Sequence, residues 1–301
     1  MFVEQMFDIE GLKKQKNAVI LSHNYQILPI QTIADSVGDS LELSMAARDV
    51  EADIIVFCGV DFMAETAAIL NPNKKVLVPS TEARCPMAAQ LNADMVRKAK
   101  EKYNAPFVAY VNTHASVKAV ADVCCTSANV ARVVENIDSE TVLLGPDANL
   151  AWYAAEKTGK EVIPVPEYGN CCVHQSFTVK DVERARIEHP EAEIIVHPEC
   201  RPEVQRFADF VGSTSQMIRY VAESGKNGII IGTEIGLIER LVDEHPGKEI
   251  FPLRTSVCSA MKKNTLDGVV KVLREENNVV RVDEKIAVRA RKAIERMFEL
   301  C

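Results

Sequence analysis

A chain of 301 residues, 47% of them hydrophobic and 26% charged, has the make-up of an ordered globular protein, not of a disordered or fibrous one. Lys and Arg number 35 against 43 Asp and Glu, a formal charge of −8, so no basic footprint for nucleic acid stands out. No apolar run approaches the roughly 20 residues that cross a bilayer, and the start lacks a basic stretch followed by an apolar one. The expectation is a cytoplasmic protein without nucleic-acid or membrane partners. An anionic ligand would have to be drawn by local features: helix N-termini, histidines or a metal.

In chain order, 18–22 reads as a strand, followed by a helix over Leu41–Glu51, a strand at 54–58, a helix over Asp61–Leu70 and a strand at 76–78. Strands at 107–111 and 141–144 flank a helical stretch, Val130–Asn136. Further strands are predicted at 161–165, 193–197, 228–231 and 249–253. Apolar strands alternating with amphipathic helices imply parallel sheets in an α/β fold.

The elements repeat. Ala-Asp stands at 34–35, 121–122 and 208–209, two intervals of 87. Five residues beyond each Asp comes a hydroxyl: Ser40, Ser127 and Thr214. A strand then ends in Gly with an acid two residues on, at Gly59-Val-Asp61, Gly145-Pro-Asp147 and Gly232-Thr-Glu234. From each of those glycines 26 residues lead to a cysteine, Cys85, Cys171 or Cys258. Four features keeping one period predict three homologous parallel-sheet α/β units around a pseudo-threefold axis. The expected boundaries are 1–103, 104–190 and 191–275, with a C-terminal helical segment over 276–301.

Superposing the units places His23, Tyr110 and His197 at equivalent strand ends, with Tyr25, Asn112 and Glu199 two residues beyond. Ligands of parallel α/β sheets bind beyond the carboxyl ends of strands, and residues two apart share a face. All six therefore can converge on one cavity. A carboxylate following an apolar strand makes Glu199 a candidate general base with a raised pKa. A hydroxyl before a helix serves as an N-cap, and three helix N-termini facing one cavity would also attract phosphate or carboxylate. Asp61, Asp147 and Glu234 read as N-terminal helix charges.

Nine cysteines, with no CxxC pair, point to metal ligation, catalysis or burial rather than to disulfides. Three of them at equivalent positions suggest a metal, but spacing does not name it. Zinc would take His174 as its fourth ligand, giving a non-catalytic metal or redox sensor. A [4Fe–4S] cluster on three cysteines would leave one iron open as a Lewis acid.

Longer motifs carry a resemblance. Ser22-His-Asn-Tyr-Gln26, Val37-Gly-Asp-Ser40, Gly59-Val-Asp-Phe-Met-Ala-Glu65 and Cys85-Pro-Met87 are similar to segments of the quinolinate synthase family. So are Tyr110-Val-Asn112, Cys125-Thr-Ser-Ala-Asn129, Gly145-Pro-Asp147, Val173-His-Gln175, His197-Pro-Glu-Cys200, Val211-Gly-Ser-Thr214, Ile231-Gly-Thr-Glu-Ile-Gly236 and Met261-Lys-Lys-Asn264. The resemblance runs from about residue 10 to 300. It implies a triplicated α/β enzyme of NAD biosynthesis that condenses iminoaspartate, supplied by L-aspartate oxidase or dehydrogenase, with dihydroxyacetone phosphate to give quinolinate. It implies a [4Fe–4S] cluster on Cys85, Cys171 and Cys258, with the fourth iron assisting dehydration. It places His23, Tyr25, Tyr110, Asn112, Ser127, Glu199 and Thr214 in the substrate cavity, with Ser40 and His197 holding anionic groups; catalysis falls to Glu199, Tyr25 and His23. Two departures mark this chain. Cys171 is followed by a second cysteine, Cys172, and the 26-residue interval favours Cys171; Cys258-Ser-Ala-Met261 lacks the CxxCxxC that a redox-switch disulfide would use. Cys124, Cys125 and Cys200 read as buried packing.

Overall fold

The computed structural model describes residues 2–300. Three four-stranded sheets, parallel at every named pairing, account for the strands. The first contains β1 (Ala18–His23), β2 (Ser36–Gly38), β3 (Ile54–Cys58) and β4 (Lys75–Leu77). The second contains β5 (Phe107–Tyr110), β6 (Val123–Cys125), β7 (Thr141–Gly145) and β8 (Glu161–Pro164). The third contains β9 (Glu193–Val196), β10 (Phe210–Val211), β11 (Gly228–Gly232) and β12 (Glu249–Pro252). Strand order is the same in each: β2-β1-β3-β4, β6-β5-β7-β8 and β10-β9-β11-β12. The α/β fold of three homologous parallel units, expected from the period, is the fold observed.

The strands are apolar on both faces because helices cover both. In the first unit Ile20, Ile54 and Val56 pack against Ile9 of helix Phe2–Lys16 and against Val269, Val272 and Leu273 of helix Leu266–Glu275. The opposite face sets Leu21, Ile55 and Phe57 against Leu43 and Ala47 of helix Ser40–Asp49 and Phe62 and Ala67 of helix Asp61–Leu70. The C-terminal helix, Glu284–Glu299, lays Ala290, Ala293, Ile294 and Met297 on the second unit. Among the described residues no helix is long and apolar enough to cross a membrane.

Three strands are absent from the sequence reading: β2, β6 and β10, each two or three residues long. The repeated Ala-Asp creates them. The Asp35 amide donates to the Ile20 carbonyl at 2.9 Å while its carboxylate accepts from the Ile20 amide at 2.7 Å. Asp122 clamps Phe107 in the same way, at 3.0 and 2.7 Å, and Asp209 clamps Ile194, at 2.8 and 2.7 Å. A cation on the preceding helix closes each clamp: Lys13 at 2.8 Å, Lys100 at 2.7 Å and Arg186 at 2.7 Å. The clamp sets the edge strand's register, so the hydroxyl that follows it starts its turn at the same level in every unit.

Candidate active site

The chain leaves β1, β5 and β9 at His23–Tyr25, Tyr110–Asn112 and His197–Glu199, and all six named side chains line one chamber. Ser40, Ser127 and Thr214 line it too, as do Cys85, Cys171 and Cys258. About 620 Å³ of non-atom space, the solvent at its mouth included, lies among these residues. Among the described residues, no lysine or arginine lines it.

Glu199 sits at the centre of its polar network and is 3% exposed. The Tyr110 hydroxyl donates to Oε1 at 2.6 Å, and the Asn112 amide reaches the same oxygen at 3.5 Å. On the other side His174 Nδ1 lies 2.6 Å from Oε2, and His197 Nδ1 lies 3.8 Å from it. Burial pushes this carboxyl's pKa up. The His174 imidazole and the Tyr110 hydroxyl outweigh burial and hold it below the usual carboxylate range. The sequence-based expectation of a raised pKa is thus corrected: the group is ionised because its partners favour the charged form.

Burial lowers His23 and His197 to about 3, so both are neutral imidazoles; Nδ1 of His23 accepts from the Tyr25 amide at 3.1 Å and Nδ1 of His197 from the Glu199 amide at 3.3 Å. Burial and the nearby Glu199 raise the Tyr25 phenol well above its ordinary value. Its hydroxyl lies 2.7 Å from Thr233 Oγ1 and 3.3 Å from His174 Nε2, and Thr233 Oγ1 and His174 Nε2 are 3.0 Å apart. Tyr25, His174 and Glu199 therefore form one continuous polar path. His174 entered the sequence reading as a fourth zinc ligand and within the motif Val173-His-Gln175, without a place in the substrate cavity. Its equivalents in the other units are Ala88 and Met261, so the repeat does not announce it.

The hydroxyls do not cap helices. Asp39 caps helix Ser40–Asp49 by accepting from the Leu41 and Glu42 amides, and Ser213 caps helix Thr214–Glu223 through the Gln216 amide. The Leu41, Glu42 and Gln216 amides are thereby engaged, while the hydroxyl residues themselves line the chamber. Thr214 Oγ1 accepts from the Asn24 amide at 2.8 Å, which leaves its proton for a ligand. Ser127 stands beside the Tyr110 hydroxyl and favours its ionised form against burial.

Each chamber cysteine is held by the acid at its own unit's strand end. Asp61 accepts from the Cys85 amide, Asp147 from Cys171 and Glu234 from Cys258, each at 3.0 Å. Read from sequence as helix-end charges, these acids do stand at helix N-termini, and they orient the cysteine turns as well. Lys262 backs Glu234 at 2.9 Å and donates to the Tyr25 carbonyl at 2.7 Å. In the second unit the two turns touch closely: a Cβ on Gly169 would lie 1.9 Å from the Pro146 carbonyl oxygen. Cys171 lines the chamber and Cys172 is exposed. Cys124, Cys125 and Cys200 are buried away from solvent, as expected.

Donor geometry separates two metal readings. Among the described residues, the one group of His, Cys, Asp and Glu whose donor atoms all lie within 4.8 Å of one another is Cys171, His174 and Glu199. Cys85, Cys171 and Cys258 are not such a group. A single zinc ion would bring three sulfurs to roughly 3.8 Å separation. The wider spread of three thiols around one chamber fits a polynuclear cluster, and sulfur donors suit iron–sulfur chemistry.

A triplicated α/β fold with buried carboxylate, imidazoles and thiols in a single enclosed chamber defines an enzyme acting on small molecules. The quinolinate synthetase A protein family matches residues 7–299. A quinolinate synthase of Methanothermobacter thermautotrophicus is 54% identical over 295 residues, 97% of each chain. One of Methanocaldococcus jannaschii is 51% identical over 299 residues, 97% of each chain, and one of Thermotoga maritima is 48% identical over 294 residues, 97% of this chain and 98% of its own. The chain belongs to the quinolinate synthetase A family and is an enzyme of the quinolinate synthase type.

Proposed function

We propose that this chain condenses iminoaspartate, supplied by an L-aspartate oxidase or dehydrogenase, with dihydroxyacetone phosphate, releasing phosphate and two waters to form quinolinate. The observation that carries the reading is the meeting of three repeat cysteines with an ionised, hydrogen-bonded Glu199 inside one chamber. Cys85, Cys171 and Cys258 would hold a [4Fe–4S] cluster, which supplies an iron without a protein ligand as a Lewis acid for departing hydroxyl groups.

The chain's own residues divide the remaining work. Glu199 accepts a proton through Oε2, its Oε1 being fixed by Tyr110 and Asn112. Tyr25, protonated at every working pH, donates a hydrogen bond and passes protons along the path to His174. Neutral His23 and His197 donate N–H groups to substrate carboxylate or carbonyl oxygens. Ser40, Ser127 and Thr214 supply hydroxyls to the phosphate, whose charge meets no lysine or arginine among the described lining residues. We place the reaction in the reducing cytoplasm, which suits the exposed Cys172 and the cysteines that line the chamber.

The test uses protein purified without oxygen, assayed for quinolinate with iminoaspartate generated in place. Quinolinate formation with about four irons per chain supports the reading. A colourless zinc protein, or a fully iron-loaded one that makes no quinolinate, overturns it.

A further inference from the structure

We propose that Cys171, His174 and Glu199 form a second metal site, which binds one zinc-like divalent cation when the chain carries no cluster. The three donor atoms lie within 4.8 Å of one another. Tetrahedral zinc sets its ligand atoms roughly 3.3–3.8 Å apart, so closure requires side-chain shifts of about an ångström. One thiolate, one imidazole and one carboxylate, with the fourth position left to water, is a donor set zinc accepts.

Each donor is held from behind, as metal ligands are. His174 is 1% exposed; its Nε2 is engaged by Thr233 Oγ1 at 3.0 Å, and its Nδ1 faces Glu199 Oε2 without the alignment of a hydrogen bond. Nδ1 and Oε2 thus sit side by side, where one cation can meet both once the ring nitrogen carries no proton. Glu199 has Oε1 tied to Tyr110, which leaves Oε2 on the same side as Nδ1. Asp147 fixes the Cys171 amide. On binding, the Cys171 thiol gives up its proton to solvent and a sulfur–metal bond forms, with no change of oxidation state.

The site shares Cys171 with the proposed cluster and occupies the chamber's carboxylate. The two metal states therefore exclude each other, and zinc is an inhibitor of cluster assembly. Zinc stoichiometry and ligand type are read on cluster-free chain, so they stand or fall apart from the iron–sulfur reading.

The test titrates full-length, cluster-free protein with zinc against a chromophoric chelator and records zinc X-ray absorption on the wild type. The expected result is one zinc per chain with a single sulfur ligand. Affinity should fall at least about 100-fold in His174→Ala and Cys171→Ser, and 10–100-fold in Thr233→Val, while Cys85→Ala and Cys258→Ala leave it unchanged. Zinc-loaded wild type should take up no iron until the zinc is chelated, whereas His174→Ala should take it up in the presence of zinc. Because the sulfur count comes from unmodified protein, a variant that fails to fold does not blunt the test. Failure to bind zinc, a count of three sulfurs, a count of none, or a dependence on Cys85 or Cys258 overturns the proposal.

Discussion

Glu199 owes its charge to contacts: the His174 imidazole and the Tyr110 phenol offset a burial that would otherwise neutralise it. Glu199→Gln keeps the shape and the Tyr110 contact but removes the proton acceptor, and Tyr25→Phe cuts the path at its outer end. Both variants should fold and retain iron, while turnover falls about 10²–10⁴-fold. Acid quenching followed by mass spectrometry should then detect a condensed intermediate; near-normal turnover in iron-loaded Glu199→Gln would remove Glu199 from the mechanism. Among the thiols, Cys85→Ala, Cys171→Ala and Cys258→Ala should each abolish cluster assembly, whereas exposed Cys172→Ala should retain it. Iron and sulfide counts decide this, and loss in Cys172→Ala with retention in Cys171→Ala would reverse the assignment. At this scale the sequence made visible the residues that repeat. His174 stayed obscure because its counterparts are Ala88 and Met261, and the Glu199 pKa was misjudged because strand-end position reveals burial but not partners across units.

Between residue and fold lies the turn, and here carboxylates set geometry. Asp147 accepts from Leu150 through Oδ1 and from Cys171 through Oδ2, so Asp147→Asn must turn an NH₂ group toward one of two N–H donors. Cluster loss under chelation should accelerate about 10–100-fold, with the circular dichroism spectrum unchanged. An unaltered loss rate would show that the amide contact does not orient Cys171. The Ala-Asp clamps act on the fold itself. Asp122→Ala strands the amide of fully buried Phe107, a cost of about 1–3 kcal/mol that urea unfolding should register. A loss below 0.5 kcal/mol would mean water replaces the carboxylate. These clamps also explain why β2, β6 and β10 escaped sequence reading. Shortness alone is not the reason, since the three-residue β4 was read from its apolar Val76-Leu-Val78; what forms β2, β6 and β10 is a side-chain bond to a backbone about 15 residues earlier, which no local pattern shows. The long central strands, buried on both faces, were legible because burial alone writes their composition.

At the scale of the whole molecule, the chamber exists only where three units meet, each giving one cysteine, one strand-end pair and one hydroxyl. Contacts across units bind it together: Tyr110 to Glu199, Asn24 to Thr214, Ser213 to Asp39. A cluster held by all three units would add a cross-link that the unfolded chain cannot form, since its cysteines lie 86 and 87 residues apart. Anything bound by the native state alone stabilises it by mass action, about 2.7 kcal/mol at a hundred times the dissociation constant. Removing the cluster anaerobically with a chelator should therefore lower the thermal midpoint of the whole chain by several degrees. Cys172→Ala should show the same drop. Cys85→Ala, which never assembles the cluster, should begin at the lower midpoint and not respond to the chelator. Calorimetry makes the measurement, and a wild-type midpoint indifferent to iron removal would mean that the cysteines of the three units are not joined through one group.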